Sequence, residues 1–136
     1  MGIKLVVAPG KTASLFLCFL GNDKLGPMMT VQEAYELCQS GKAVLVDVRE
    51  EAELKETGMA AGALWMPLSS MEGDTDEWRA FRSSLARDKK VFLYCKMGGR
   101  AGRMAAYLSD DGIEAFCIGG FADWKSAGLP LQGFSR

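Results

Sequence analysis

Histidine is absent from this sequence of 136 residues, and cysteine is sparse. The absence of histidine excludes a histidine general base, a Cys–His catalytic dyad and a metal site with imidazole ligands. Any chemistry must therefore use cysteine, carboxylates, lysine, arginine or backbone dipoles. The four cysteines form no Cys-x-x-Cys pair, which argues against a zinc site. We expect no metal and no cofactor.

Strong net charge and long apolar runs are also missing. The formal net charge of −1 gives no support for a nucleic-acid or polyanion partner. The apolar stretch at residues 13–20 is too short for a membrane-spanning helix, which needs about 20 residues. We therefore expect no stable membrane span and a cytoplasmic protein. The chain length corresponds to about one domain.

Residues 1–29 differ in composition from the rest of the chain. We predict an N-terminal extension there, either an extra strand or a loosely packed segment. Lys4 and Lys11 before an apolar stretch also fit a signal peptide, which would direct the protein to the periplasm, although no convincing cleavage site follows. Met28 or Met29 is an alternative natural start, which would make the preceding residues an artefact of start choice.

From residue 30 onward, helix and strand signals alternate. Strand candidates occupy residues 44–49, 64–66, 91–94 and 115–118, and helix candidates occupy residues 31–38, 50–56, 76–85, 100–111 and 121–127. Thr30 and Glu33 fit a capping box at the start of the first helix. The apolar run at residues 44–49 is typical of a parallel strand covered on both faces. We therefore predict one α/β domain over residues 30–136, with an open, mostly parallel sheet of about five strands and helices on both faces.

The segment around Cys95 carries the chemistry. After the preceding strand and Cys95 come Lys96, Met97, Gly98, Gly99 and Arg100, the last of which begins the predicted helix. In open α/β sheets, ligands bind beyond the carboxyl ends of the strands, which is where Cys95 falls. The two glycines allow backbone N–H groups to approach a bound anion, and the helix N-terminus and the two cations add positive charge. We expect Cys95 to ionise easily and residues 96–100 to form an anion cradle, as suits sulfur or phosphorus chemistry.

Four ordered segments of the chain resemble the rhodanese (thiosulfate sulfurtransferase) family. These segments are Asp47-Val48-Arg49-Glu50, residues 58–68, the loop from Cys95 to Arg100, and residues 119–130. The second segment departs from the family's usual His-Ile-Pro-Gly-Ala pattern, with Met59 in place of histidine and Ala61 in place of proline. These changes fall in a structural turn and leave the resemblance intact. It covers residues 30–131 and implies a single-domain member with a rhodanese-like fold.

The resemblance implies sulfur transfer through a persulfide on Cys95. The thiolate would attack the outer sulfur of thiosulfate or another persulfide donor, and a thiol acceptor would then remove that sulfur. The expected partners are a small anionic sulfur donor and a thiol acceptor, or a protein that fills either role. A persulfide needs aligned N–H donors and no proton shuttle, so a site without histidine suffices. Nothing in the sequence specifies an oligomeric state.

Asp47 and Arg49 are candidate supporting residues beside this site. Asp47 would either hydrogen-bond the active loop or pair with Arg49. Arg49 would either line the pocket mouth and attract an anionic donor, or pair with the acidic stretch at residues 50–56. We interpret that acidic stretch as a solvated helix face.

Two other functions are compatible with the same residues. Phosphatases with the pattern Cys-x5-Arg surround a phosphate, but Cys95 and Arg100 are spaced as Cys-x4-Arg, a tighter ring that suits a single sulfur atom. A non-enzymatic sulfur carrier or regulatory binding module is the other alternative, because some domains of the family have that role.

Overall fold

The computed structural model describes residues 30–135, so the predictions for residues 1–29 lie outside the described residues. The helices are α1 (Val31–Gln39), α2 (Glu51–Thr57), α3 (Leu68–Glu72), α4 (Asp76–Ser84), α5 (Gly99–Asp110) and α6 (Phe121–Ser126). The strands are β1 (Ala43–Asp47), β2 (Met59–Ala60), β3 (Leu64–Trp65), β4 (Lys90–Cys95), β5 (Ala115–Gly120) and β6 (Leu131–Gln132).

The main sheet is parallel and confirms the predicted α/β class. Its strand order is β3-β1-β4-β5, so β1 and β4 are the central strands. Among the described residues this sheet has four strands rather than about five, because β2 and β6 pair with each other as a separate antiparallel ribbon. Asp47 lies opposite Tyr94 in the ladder, so β1 and β4 end together at one edge of the sheet.

Helices cover both faces of this sheet, as the apolar run in β1 predicts. Side chains alternate between the two faces along each central strand because successive Cβ atoms point in opposite directions. Val46 and Leu93 pack on one face in a cluster that includes buried residues of α3, α4 and α5. Leu45 and Phe92 pack on the other face in a cluster that includes buried residues of α1, α2 and α6.

Side-chain hydrogen bonds cap the N-termini of α1 and α4. The Glu33 N–H donates to the Thr30 hydroxyl at 3.1 Å and the Thr30 N–H donates to the Glu33 carboxylate at 2.9 Å, which confirms the capping box of α1. The N-cap of α4 is Thr75, whose hydroxyl accepts the Trp78 N–H at 3.1 Å, and Asp76 is the first helical residue. Within residues 30–135, none of the helices has the length and apolar character needed to cross a membrane.

Candidate active site

Cys95 is the last residue of β4, and a turn of three residues separates it from the first residue of α5. Gly98 closes this turn with φ +102°, a backbone conformation that glycine adopts without a steric penalty. In this conformation the Gly98 N–H donates to the Cys95 Sγ at 2.9 Å. Cys95 itself is 1% exposed, so the sulfur lies beneath the turn rather than on the open surface.

The last residue of β5 supports this turn from the side. Gly120 lies opposite Cys95 in the parallel ladder, and a Cβ atom at Gly120 would overlap the carbonyl oxygen of Lys96. The Gly120 N–H donates to the Asp123 carboxylate at 2.9 Å, which fixes the β5–α6 junction. Only a residue without a side chain allows β5 to come this close to the turn.

Side chains of the predicted cradle point in different directions. Lys96 is exposed, and Met97 is 85% exposed at the tip of the turn. Of the amides in residues 96–100, the Gly98 N–H has a hydrogen bond to the sulfur. The structure therefore supplies one amide directly to Cys95, and the wider cradle stays a prediction.

Arg100 forms a two-pronged ion pair with Glu53 of α2. Its guanidinium donates to the two carboxylate oxygens at 2.7 and 2.9 Å. This hydrogen bonding lowers the pKa of Glu53 from 4.5 to about 2. The same contact raises the pKa of Arg100. The pair is therefore ionised at neutral pH, and the Arg100 side chain is directed towards α2.

Glu53 is the residue that sequence reasoning missed, because it lies in the stretch interpreted as a solvated face. It also accepts the Glu50 N–H at 3.0 Å at the start of α2. That contact, a glutamate three residues after the helix N-cap, was the one local signal available. Its pairing with Arg100 joins residues 47 positions apart, and no local pattern encodes it.

Asp47 and Arg49 form a buried pair next to the strand ends, with 0% and 2% exposure. The Arg49 guanidinium donates to the Asp47 carboxylate at 2.9 Å, to the Thr57 hydroxyl at 2.9 Å and to the Gly58 carbonyl at 2.8 Å. Of the two roles considered for Asp47, the pairing with Arg49 is the one observed. The Arg49 guanidinium is buried against Asp47, and it also interacts electrostatically with Glu53 of the acidic stretch. Its role towards an anionic donor stays a prediction.

The described residues offer no cluster of three or more metal-ligating side chains. Two cavities of about 170 and 330 Å³ are lined by residues outside the Cys95 loop.

Comparison with known proteins assigns the chain to a family. The model of the family described as Rhodanese-like domain matches residues 30–127. This chain belongs to the rhodanese-like domain family. The resemblance predicted from the four sequence segments is confirmed.

Named relatives of this rhodanese-like chain include sulfurtransferases. Thiosulfate sulfurtransferase GlpE of Actinobacillus succinogenes is 31% identical over 106 residues, which cover 76% of this chain and 88% of that protein. A sulfurtransferase of Allochromatium vinosum is 30% identical over 97 residues, which cover 70% of this chain and 83% of that protein. A rhodanese-related protein from Thermoplasma volcanium superposes with a TM-score of 0.62 at 28% identity, covering 76% of this chain and 95% of that one. Sulfur transfer is thus supported at the level of the family.

Proposed function

We propose that this protein is a sulfurtransferase of the thiosulfate sulfurtransferase type, with Cys95 as the residue that carries the sulfur. The observation that supports the proposal most directly is the Gly98 N–H aimed at the Cys95 Sγ at 2.9 Å, at the carboxyl end of β4. An N–H donor in that position stabilises negative charge on sulfur, which both the thiolate and the persulfide carry.

In the first step, the Cys95 thiolate attacks the outer sulfur of thiosulfate or of another persulfide donor. A new sulfur–sulfur bond forms at Cys95 while the bond between the two sulfur atoms of thiosulfate breaks, and sulfite leaves with the bonding electron pair. The charge is conserved, because one thiolate is replaced by one persulfide anion and one dianion by another. No proton moves in this step, which suits a chain without histidine.

In the second step, a thiophilic acceptor attacks the terminal sulfur of the Cys95 persulfide. The bond between the two sulfur atoms breaks, and the thiolate of Cys95 is regenerated. With cyanide as the acceptor the product is thiocyanate, and a thiolate acceptor becomes a persulfide. Two separate half-reactions of this kind give ping-pong kinetics.

The residues of the turn have separate roles in this proposal. Gly98 and Gly99 bring backbone N–H groups towards the transferred sulfur, and Lys96 attracts the anionic donor. Met97, which is 85% exposed, makes the entrance apolar. Cys95 is 1% exposed, so the turn stands between the sulfur and an approaching donor.

Phosphatase activity is the weaker alternative at the same site. A phosphatase of the Cys-x5-Arg type needs an arginine that closes the loop around phosphate. Here the spacing is Cys-x4-Arg, and the Arg100 guanidinium is held by Glu53 at 2.7 and 2.9 Å. Sulfur transfer requires only the smaller cup around one sulfur atom.

Mass spectrometry of the protein before and after incubation with thiosulfate tests the proposal. We expect one added sulfur atom on the peptide that contains Cys95, because the persulfide is a covalent intermediate. Cyanide should remove this sulfur with the formation of thiocyanate. Cys95→Ser should abolish both the added mass and the turnover, since a hydroxyl does not form a stable persulfide analogue.

Three outcomes would contradict the proposal. Hydrolysis of an aryl phosphate without thiocyanate formation would favour the phosphatase. An absence of added sulfur both from thiosulfate and from a persulfide-loaded donor protein would favour a regulatory binding module. Persulfide on Cys95 that forms only from a donor protein would indicate a sulfur carrier rather than a thiosulfate enzyme.

A further inference from the structure

The ion pair between Arg100 and Glu53 involves a residue that lies two positions after the Cys95 turn. Arg100 is the second residue of α5, immediately after the turn that donates an N–H to the sulfur. Its planar guanidinium matches both oxygens of the Glu53 carboxylate, at 2.7 and 2.9 Å, in the bidentate geometry that is strongest for this pair. The guanidinium is therefore bound to a carboxylate on another helix.

Glu53 is itself held in place by a second contact. It accepts the Glu50 N–H at 3.0 Å, so the carboxylate is fixed to the first turn of α2. The side chains of Glu53 and Arg100 are 29% and 31% exposed, which leaves the pair partly shielded from solvent. Both groups stay ionised at neutral pH, and their charges cancel.

Few unbalanced cations remain near the sulfur. Arg103, one turn further along α5, forms an ion pair with Glu72 of α3. Lys96 is exposed, and among residues 30–135 no hydrogen bond or ion pair involves its ammonium group. Of the three cationic side chains that follow Cys95 closely in the sequence, Arg100 and Arg103 are therefore paired with carboxylates, and Lys96 is not.

We propose that Glu53 is a positioning residue that sets the preference of this site for the charge of the sulfur donor, by holding Arg100 and cancelling its charge. The inference rests on the proposed sulfur transfer and extends it to the class of donor. Glu53 does not touch the donor. With the pair intact, the site accepts monoanionic donors, such as persulfides and thiosulfonates, nearly as well as dianionic thiosulfate.

Steady-state kinetics with two donors test this role. Thiosulfate is a dianion and methanethiosulfonate a monoanion, and both present a terminal sulfur to the thiolate. Glu53→Gln keeps the shape of the side chain but leaves Arg100 uncompensated, so kcat/KM for thiosulfate relative to methanethiosulfonate should rise about two- to fivefold. Arg100→Met should lower this ratio, because Glu53 then remains as an unbalanced negative charge. The double variant should return the ratio close to that of the unmodified protein.

A matched control separates local charge from overall charge. Glu56→Gln removes an exposed carboxylate from the same helix, and we expect the ratio to stay unchanged. Thermal unfolding of every variant checks that the fold is retained. An equal loss of kcat/KM for both donors in Glu53→Gln would overturn the proposal and assign Glu53 a purely structural role. An unchanged ratio would overturn it as well.

Alkylation of Cys95 provides a readout that does not depend on sulfur transfer. The rate with anionic iodoacetate relative to neutral iodoacetamide, measured on the Cys95 peptide, should follow the same pattern across the variants. Cys38 serves as an internal reference, since burial raises its pKa to about 11 and slows its reaction. If the alkylation ratio follows the pattern while no variant transfers sulfur, the proposed function fails and the role of Glu53 stands. If sulfur is transferred but neither the kcat/KM ratio nor the alkylation ratio differs between the variants, only the role proposed for Glu53 is wrong.

Discussion

At the scale of single residues, the glycines near Cys95 serve different purposes. Gly98 has φ +102°, and this conformation directs its N–H to the sulfur at 2.9 Å. Gly120 has an ordinary backbone conformation, but it lies so close to the Lys96 carbonyl that no side chain fits. Gly99 has open space around the position of a Cβ atom. The local structure therefore requires glycine at positions 98 and 120 more strictly than at position 99.

Substitution of two of these glycines tests that distinction. Gly120→Ala should lower the free energy of unfolding by about 1–3 kcal/mol, because β5 or the turn must move to remove the overlap. Gly99→Ala should leave stability unchanged or raise it by up to about 1 kcal/mol, since alanine favours the helix at the first position of α5. Urea denaturation of both variants measures the difference. Equal stability for Gly120→Ala and the unmodified protein would show that the close approach to Lys96 is wrong.

At the scale of secondary-structure elements, α2 and α5 are joined by the Glu53–Arg100 pair. The first turn of α2 follows β1, and the first turn of α5 follows the Cys95 turn, so the pair links the segments that leave two adjacent parallel strands. The pair thus links two helices that cover opposite faces of the sheet. It also lowers the pKa of the Glu53 carboxylate, so the contribution of the pair to stability depends on pH.

We expect acid to lower the stability of the folded protein by protonating the Glu53 carboxylate. The pKa of Glu53 is lowered from 4.5 to about 2 in the folded protein, so its stabilising contribution is complete above pH 4.5 and is lost as the pH falls towards about 2. The unfolded chain takes up the proton first, which lowers the free energy of unfolding over that interval. Urea denaturation at several pH values should show a shallower decline for Glu53→Gln. Glu56→Gln should keep the original slope, and a Glu53→Gln slope identical to it would contradict the assignment.

At the scale of the whole molecule, Arg49 connects elements from both ends of the described chain. It follows β1, donates to Thr57 and Gly58 at the end of α2, and its guanidinium lies 4.3 Å from the centre of the Phe121 ring at the start of α6. Asp47 balances its charge in a region with almost no solvent. Burial lowers the pKa of Arg49 while the hydrogen bond and charge of Asp47 raise it, with a net rise. Arg49 therefore links the end of β1, the end of α2 and the start of α6.

Removal of one partner of this pair should be costly. Arg49→Met leaves the Asp47 carboxylate buried and uncompensated, and we expect the free energy of unfolding to fall by about 3–5 kcal/mol. The double variant Asp47→Leu with Arg49→Met should recover much of this loss, because no charge then remains buried. Arg87→Met, at an arginine whose side chain is 61% exposed, should cost at most about 1 kcal/mol. Urea denaturation of the three variants decides the matter, and a stable Arg49→Met protein would refute the structural role.

The features that could be predicted from the sequence are those that depend on neighbouring residues. The alternation of strands with helices, the capping box at Thr30 and the Cys95 turn all follow from short-range periodicity, hydrogen bonding and the conformational freedom of glycine. Which distant side chains meet could be seen only in the folded protein. The pairing of Glu53 with Arg100, the fit of β5 at Gly120 and the separate β2–β6 ribbon depend on segments that are far apart in the chain. Such contacts leave no periodic signal, because each is selected by packing of the complete fold rather than by local backbone preferences.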